Sequence, residues 1–236
     1  MTVKRPPLIN REIYHIVMRG TEGRIIFPKE ENYIRFIHDL FEFNDEEATL
    51  STYRIHLQAN TTRSDHVILE RRKRKLLVEI LAFCLMPNHF HLLLRQLKNQ
   101  GISHFMQKLN GGYATYINKK YERQGHLFQG KFRAVHIKNE EQFKNGFVYI
   151  HVNPVDLIEP NWKENGIKNV KKAIRFLENY RWSSYSDYLG KKNFPSVTSR
   201  DFITKVLVGS EGCREFVESW ILHKAEIKKL GPIVLE

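Results

Sequence analysis

An α+β fold, an antiparallel sheet with helices packed on it, is predicted for this chain by three observations. Strand-like and helix-like apolar periods follow one another as strand, helix, strand, strand, helix, strand, helix between residues 12 and 152. Two of the strand segments, Leu76–Leu85 and His89–Leu94, are separated only by Met86-Pro87-Asn88, a hairpin spacing that forces antiparallel pairing. Beyond Pro154 the recurring patterns are helical.

Taken in order, Glu12–Arg19 reads as a first strand closed by the turn-forming Gly20, with polar and basic groups through Arg24. From Lys29 to Phe43, residues Tyr33, Ile34, Phe36, Ile37, Leu40 and Phe41 recur at helical spacing, and Pro28 stands near the start, where proline is favoured. Residues 44–75 are polar and end in five cations, Arg71 to Lys75, which suit a solvated face and direct nucleic-acid contact equally. The hairpin follows. A second helix is predicted from Ser103 to Tyr121, where the pair Gly111-Gly112 implies either close packing or a break. The loop Gly125–Arg133 mixes cations with aromatics, a combination suited to phosphates and stacked bases, and leads into a strand over Ala134–Ile137. A helix over Glu140–Val152 should stop at Asn153-Pro154, because proline breaks the hydrogen-bond ladder and biases Asn153 away from helical torsions.

Helices are further expected over Val170–Asn179, Ser199–Val208 and Glu211–Lys229. The aromatic cluster Trp182, Tyr185 and Tyr188 is better suited to packing this extension on the core than to stacking on bases. This order of elements fits a ferredoxin-like core with helices on one face of the sheet, so the expected division is a core over residues 1–158 and a mostly helical extension over 159–236.

Composition narrows the function. The 236 residues carry a formal net charge of +12, which attracts polyanions and makes nucleic acid the leading partner. No run of about 18 apolar residues occurs and the first residues lack the apolar core of a secretory signal, so a soluble, intracellular protein with no membrane partner is expected. Only Cys84 and Cys213 are present, so a metal site must use nitrogen and oxygen ligands.

The strongest local signal is Asn88-His89-Phe90-His91. Side chains alternate along a strand, so His89 and His91 emerge on one face while Phe90 points to the other, and two adjacent imidazoles can share one metal ion. Tyr149 and Asn153, four residues apart on a helix, likewise share a face. Singly, each has a plainer explanation: a His-x-His pair arises by chance, Tyr149 could be core, and Asn153 could cap a helix end.

Together these residues resemble a known family. Met86-Pro87-Asn88-His89-Phe90-His91 is similar to the His-hydrophobic-His signature of single-tyrosine HUH transposases, enzymes of small insertion sequences that act on single-stranded DNA. The likeness continues through Tyr14–Gly20, Gly125–Phe132, Tyr149–Val155 and Trp182–Tyr185, and these segments resemble the branch of REP-associated tyrosine transposases. It departs from the expected pattern at Lys131, where arginine is expected, and at Thr21-Glu22-Gly23 in place of the more usual asparagine.

The resemblance implies an HUH endonuclease core in which His89, His91 and Asn153 hold a divalent metal, Mg or Mn, and Tyr149 is the nucleophile. It implies cleavage and rejoining of single-stranded DNA next to a hairpin, through a 5′-phosphotyrosine and without ATP or a small-molecule cofactor; no Gly-x-x-x-x-Gly-Lys loop is present. Imidazole alone would also accept Zn or Ni. Arg19, Arg24, Lys131, Arg133 and His126 are the expected DNA contacts, and His151, opposite Tyr149 on the helix, is expected to be structural. A monomer is favoured over a homodimer, in a bacterial cytoplasm and associated with the nucleoid. The alternative from another class is a domesticated, non-catalytic nucleic-acid-binding regulator.

Overall fold

The structure, a computed structural model, describes residues 5–47 and 74–226. Its core is β1 (Ile13–Arg19), α1 (Glu30–Glu42), β2 (Val78–Met86), β3 (His89–Gln96), α2 (Gly101–Lys120), β4 (Arg133–Ile137) and α3 (Glu140–Val152). The sheet is antiparallel throughout in the order β2-β3-β1-β4, the ferredoxin-like arrangement. The first strand sits inside the sheet, so Tyr14 and Ile16 on one side and Ile13, His15 and Val17 on the other are flanked by partners at both edges.

Helices cover both faces of the sheet, which corrects the expectation of one. On the first face Tyr14, Ile16, Phe90, Leu92 and Leu94 pack against Phe36 and Leu40 of α1 and Phe105, Leu109 and Tyr113 of α2. On the second face Cys84, Met86, Leu93 and Ile137 pack against Phe147 and Ile150 of α3 and against the C-terminal part of the chain. The reason lies in β2 and β3, where Ile80–Met86 and Phe90–Leu94 are buried without alternation. Strands of that kind are apolar on both sides and require two covers.

The second cover is built from short helices: α4 (Trp162–Asn165), α5 (Val170–Asn179), α6 (Tyr185–Tyr188), α7 (Asp201–Val206) and α8 (Gly209–Glu226). Residues 182–184 also run along the outer edge of β2, where Leu85 N–H donates to the Trp182 carbonyl (2.8 Å) and Ser184 N–H to that of Phe83 (3.0 Å). That contact pairs an edge otherwise open to other strands. Trp182 stacks on Tyr33 at 4.6 Å, Tyr185 and Tyr188 are buried, and the Tyr180 hydroxyl donates to the Leu85 carbonyl at 2.7 Å. The aromatic cluster is packing.

Two local expectations resolve differently. Helix α2 runs unbroken through Gly111-Gly112, and a Cβ on Gly112 would lie 2.5 Å from the Phe43 ring while one on Gly111 would meet nothing, so the pair serves close packing at Gly112. At Asn153-Pro154 the chain tightens into a 3-10 turn, Asn153–Leu157, and Asn153 keeps helical torsions (φ −49°, ψ −37°) instead of leaving them. Proline is tolerated there because it opens the new turn, where its missing N–H is not needed. Of the five-cation run, Arg71 to Lys73 lie outside the described residues. Arg74 sits over the Phe41 ring at 3.6 Å and Lys75 pairs with Glu47 at 3.1 Å. No described helix is long and apolar enough to cross a membrane.

Candidate active site

The site forms on the second face of the sheet, where β1, β3 and α3 meet. Register pairs Arg19 with His89 and Val17 with His91, so His89, His91, Arg19, Val17 and His15 share that face. The rings of His89 and His91 stand 4.9 Å apart, edge to face. Helix α3 crosses above them and sets the Tyr149 ring 5.7 Å from His91 and 5.8 Å from His15. Because Asn153 keeps helical torsions, it follows Tyr149 by one turn on the same side, and its buried carboxamide lies beside the His89 ring. His89, His91, Tyr149 and Asn153 thus converge within a single chain.

The protonation of the histidines follows from their surroundings. Burial lowers His89 to about 4, with a smaller contribution from the Arg19 charge. Burial and the nearby Lys163 ammonium lower His15 to about 4, and His91 lies well below the ordinary range, chiefly through burial. All three are neutral at pH 7, the form in which imidazole binds metal.

Hydrogen bonds orient both rings. The Asn88 side-chain oxygen accepts from His89 Nδ1 at 2.7 Å. His91 Nδ1 is paired with His15 Nε2 at 2.9 Å. The far nitrogen, His91 Nε2, is buried with no hydrogen-bond partner among the described residues, and so is the Asn153 side-chain nitrogen. A buried polar atom without a partner costs about 1–3 kcal/mol, so the partnerless His91 Nε2 marks a place where a ligand belongs. Two neutral imidazoles and a carboxamide oxygen are nitrogen and oxygen donors that suit a divalent ion such as Mn²⁺ or Mg²⁺ completed by substrate oxygens.

The expected DNA contacts divide by location. Arg19 and Arg133 are exposed and lie on the site face, Arg133 paired in register with Val17 and Arg19 with His89. The loop bearing His126 and Lys131 is drawn to the same end of the sheet, since Thr21 N–H donates to the Leu127 carbonyl (3.0 Å) and Gln129 N–H to that of Arg19 (2.9 Å). Both of those side chains are exposed. Arg24 is half-exposed and held to its own turn, donating to the Thr21 carbonyl at 3.1 Å. On the far side of α3, His151 is fully buried, its Nε2 2.8 Å from the Ser184 hydroxyl, a structural position.

Two residues of the site escaped the reading of the sequence. His15 was legible as a strand residue, but its pairing with His91 depends on register between strands distant in sequence. Lys163, whose ammonium donates to the Tyr149 hydroxyl at 3.0 Å, comes from α4 in the extension and carries no local signal at all.

Comparison with known proteins bears on this geometry. Residues 49–153 match the family described as "Transposase IS200 like", a segment that contains His89, His91, Tyr149 and Asn153 and bears out the resemblance seen in the motifs. Among solved structures the chain is similar in fold to a REP-associated tyrosine transposase bound to a REP hairpin, at 14% identity and a TM-score of 0.50, covering 85% of this chain and 93% of that one. It also aligns with tRNA(His) guanylyltransferase from Saccharomyces cerevisiae at 10% identity, covering 93% of this chain and 82% of that one, with a TM-score of 0.35 too low to carry an argument. No curated protein matches the chain significantly.

Proposed function

We propose, from the match of residues 49–153 to the IS200-like transposases, that this protein is a metal-dependent endonuclease and strand transferase of single-stranded DNA. Tyr149 is the nucleophile, and His89, His91 and Asn153 hold the divalent metal, Mg or Mn. The observation that carries this reading is the placement of Tyr149 5.7 Å from His91 in the same chain, with Asn153 one turn further on and buried at His89. A structural tyrosine would not need a partnerless His91 Nε2 beside it.

The chemistry follows from what each group provides. A metal at the three ligands supplies Lewis-acid polarisation of the scissile phosphate and charge for the departing 3′ oxygen. The Asn88 contact keeps the proton of neutral His89 on Nδ1, and the His15 contact orients the His91 ring. Tyr149 attacks phosphorus, leaving a 5′-phosphotyrosine and a free 3′ hydroxyl; attack by a second 3′ hydroxyl rejoins the strand and releases the tyrosine. The phosphodiester is conserved, so no nucleotide triphosphate enters. Arg19 and Arg133 flank the site face as cations for the backbone on either side of the break. The hairpin held by the structurally similar transposase suggests hairpin DNA as the substrate here too. One chain carries the complete set of groups, which favours a monomer, in a bacterial cytoplasm on chromosomal DNA.

The test is direct. The protein is incubated with labelled single-stranded hairpin oligonucleotides and Mn²⁺ or Mg²⁺, and a denaturant-resistant protein–DNA adduct is sought. The adduct is expected with the parent protein and absent after chelation, in Tyr149→Phe and in His89→Ala. Binding without adduct or nicking under any metal would instead identify a non-catalytic DNA-binding regulator.

A further inference from the structure

We infer that Lys163, from the C-terminal extension, is a catalytic residue that holds its ammonium on the Tyr149 oxygen and offsets the charge carried there when the tyrosine attacks and when it is released. The inference rests on the proposed role of Tyr149 and adds a residue from outside the matched segment 49–153.

The contact itself is a hydrogen bond of 3.0 Å from Lys163 Nζ to the Tyr149 hydroxyl, with the ammonium also 5.0 Å from the centre of the ring. Lys163 is exposed and Tyr149 half-buried, but the backbone that carries the lysine is fixed in place. The neighbouring Trp162 is only 2% exposed and packs against Trp220 of α8 with ring centres 5.8 Å apart. Asn161 enters the turn in the left-handed region (φ 62°), a conformation asparagine tolerates, and accepts from Asn165 N–H at 2.9 Å. The Glu159 carboxylate then closes the loop at its far end, accepting from the backbone N–H of Lys168 (2.7 Å) and Asn169 (3.0 Å). A lysine side chain has about 2 kcal/mol of rotamer entropy to lose, and a loop fixed at three points leaves less of the backbone to be ordered with it.

The role balances in both directions. In attack, the phenol loses its proton to solvent, a lone pair on its oxygen forms the bond to phosphorus, and the bond to the 3′ oxygen breaks with that oxygen taking up a proton from solvent. In rejoining, a 3′ hydroxyl loses its proton and attacks, and the bond between phosphorus and the Tyr149 oxygen breaks, placing the electron pair on the phenol oxygen. Lys163 remains an ammonium throughout and donates to that oxygen at the moments when it is most negative. A charged hydrogen bond made to developing charge acts on the rate rather than on substrate affinity.

The experiment compares single-turnover adduct formation on a labelled hairpin oligonucleotide with Mn²⁺ for the full-length parent, Lys163→Gln and Lys163→Arg, with DNA affinity measured in parallel. Lys163→Gln is expected to slow adduct formation by about 10- to 100-fold at saturating DNA, with affinity changed less than about threefold, and Lys163→Arg to recover most of the rate. Replacing Tyr149 with a fluorinated tyrosine, whose phenol needs less help to carry charge, is expected to shrink the Lys163→Gln defect. A purely structural role would leave that ratio unmoved and overturns the inference, as does a Lys163→Gln rate within twofold of the parent. A loss confined to DNA affinity overturns it too and makes Lys163 a phosphate contact. If the parent forms no adduct, or Tyr149→Phe still forms one, the nucleophile assignment fails first and takes this inference with it; a normal Lys163→Gln beside an inactive Tyr149→Phe removes the inference alone.

Discussion

His15 on β1 stands beside His91 on β3 with His15 Nε2 2.9 Å from His91 Nδ1, the rings stacked 5.1 Å apart. The contact orients an imidazole whose other nitrogen faces the site without a partner among the described residues. Under the proposed function His15 supports the metal without touching it. Groups that hold a ligating histidine in this way typically contribute about 10- to 100-fold in metal affinity. His15→Ala is therefore expected to weaken Mn²⁺ binding by that factor in calorimetric titration, and excess metal should restore adduct formation. Unchanged affinity would reduce the His15 contact to packing.

Acid should unfold the metal-free protein early. Burial lowers His15 and His89 to about 4 and His151 to about 3, whereas an unfolded histidine titrates near 6.5. The stability held by these neutral rings is complete above pH 6.5 and is lost as pH falls toward 4, because the unfolded chain takes up protons that the folded one refuses. Asp39 runs the other way: burial raises it to about 6, so its contribution is present below the ordinary carboxylate value and is lost as pH rises through 6. One carboxyl opposes several imidazoles over the same interval, so urea midpoints measured with chelator present should fall steadily from pH 6.5 to 4. A flat profile would mean that the rings are solvated.

Adjacent glycines in α2 should respond oppositely to substitution. Gly111→Ala places a methyl in open space and is expected to stabilise by about 0.5–1 kcal/mol through helix propensity. Gly112→Val drives its side chain into the Phe43 ring, 2.5 Å from the Cβ position alone, and is expected to cost about 1–3 kcal/mol. Urea denaturation of both variants decides the matter; equal effects would show that the α1–α2 contact yields.

Arg19 and Arg133 should bind DNA through charge rather than sequence. Each is exposed on the site face. Arg19→Ala and Arg133→Ala are each expected to weaken oligonucleotide binding uniformly across sequences and to reduce the slope of log affinity against log salt by about 0.7 to 1. A slope unchanged from the parent would remove that arginine from the DNA path.

Local rules made much of this molecule legible. Apolar runs bounded by turn residues located β1, β3 and β4, and α5 and α3 begin and end at the residues their periodicity indicated. The pairing of His89 with His91 and of Tyr149 with Asn153 came from spacing within one element, where geometry is fixed by the backbone. The two-sided burial of the sheet was also written in Ile80–Met86, an unbroken apolar run that argues against a single cover.

The amino-acid sequence by itself determined the element order, the basic surface and the two pairs of site residues, because each depends on residues a few positions apart. Tertiary structure alone decided that Tyr149 reaches the histidines of its own sheet, that His15 holds His91, and that Lys163 returns from the extension to the Tyr149 oxygen. Those contacts join residues 14 to 76 positions apart, and nothing in a local period fixes such distances. They are set by strand register and by helices packing over a sheet that is apolar on both faces.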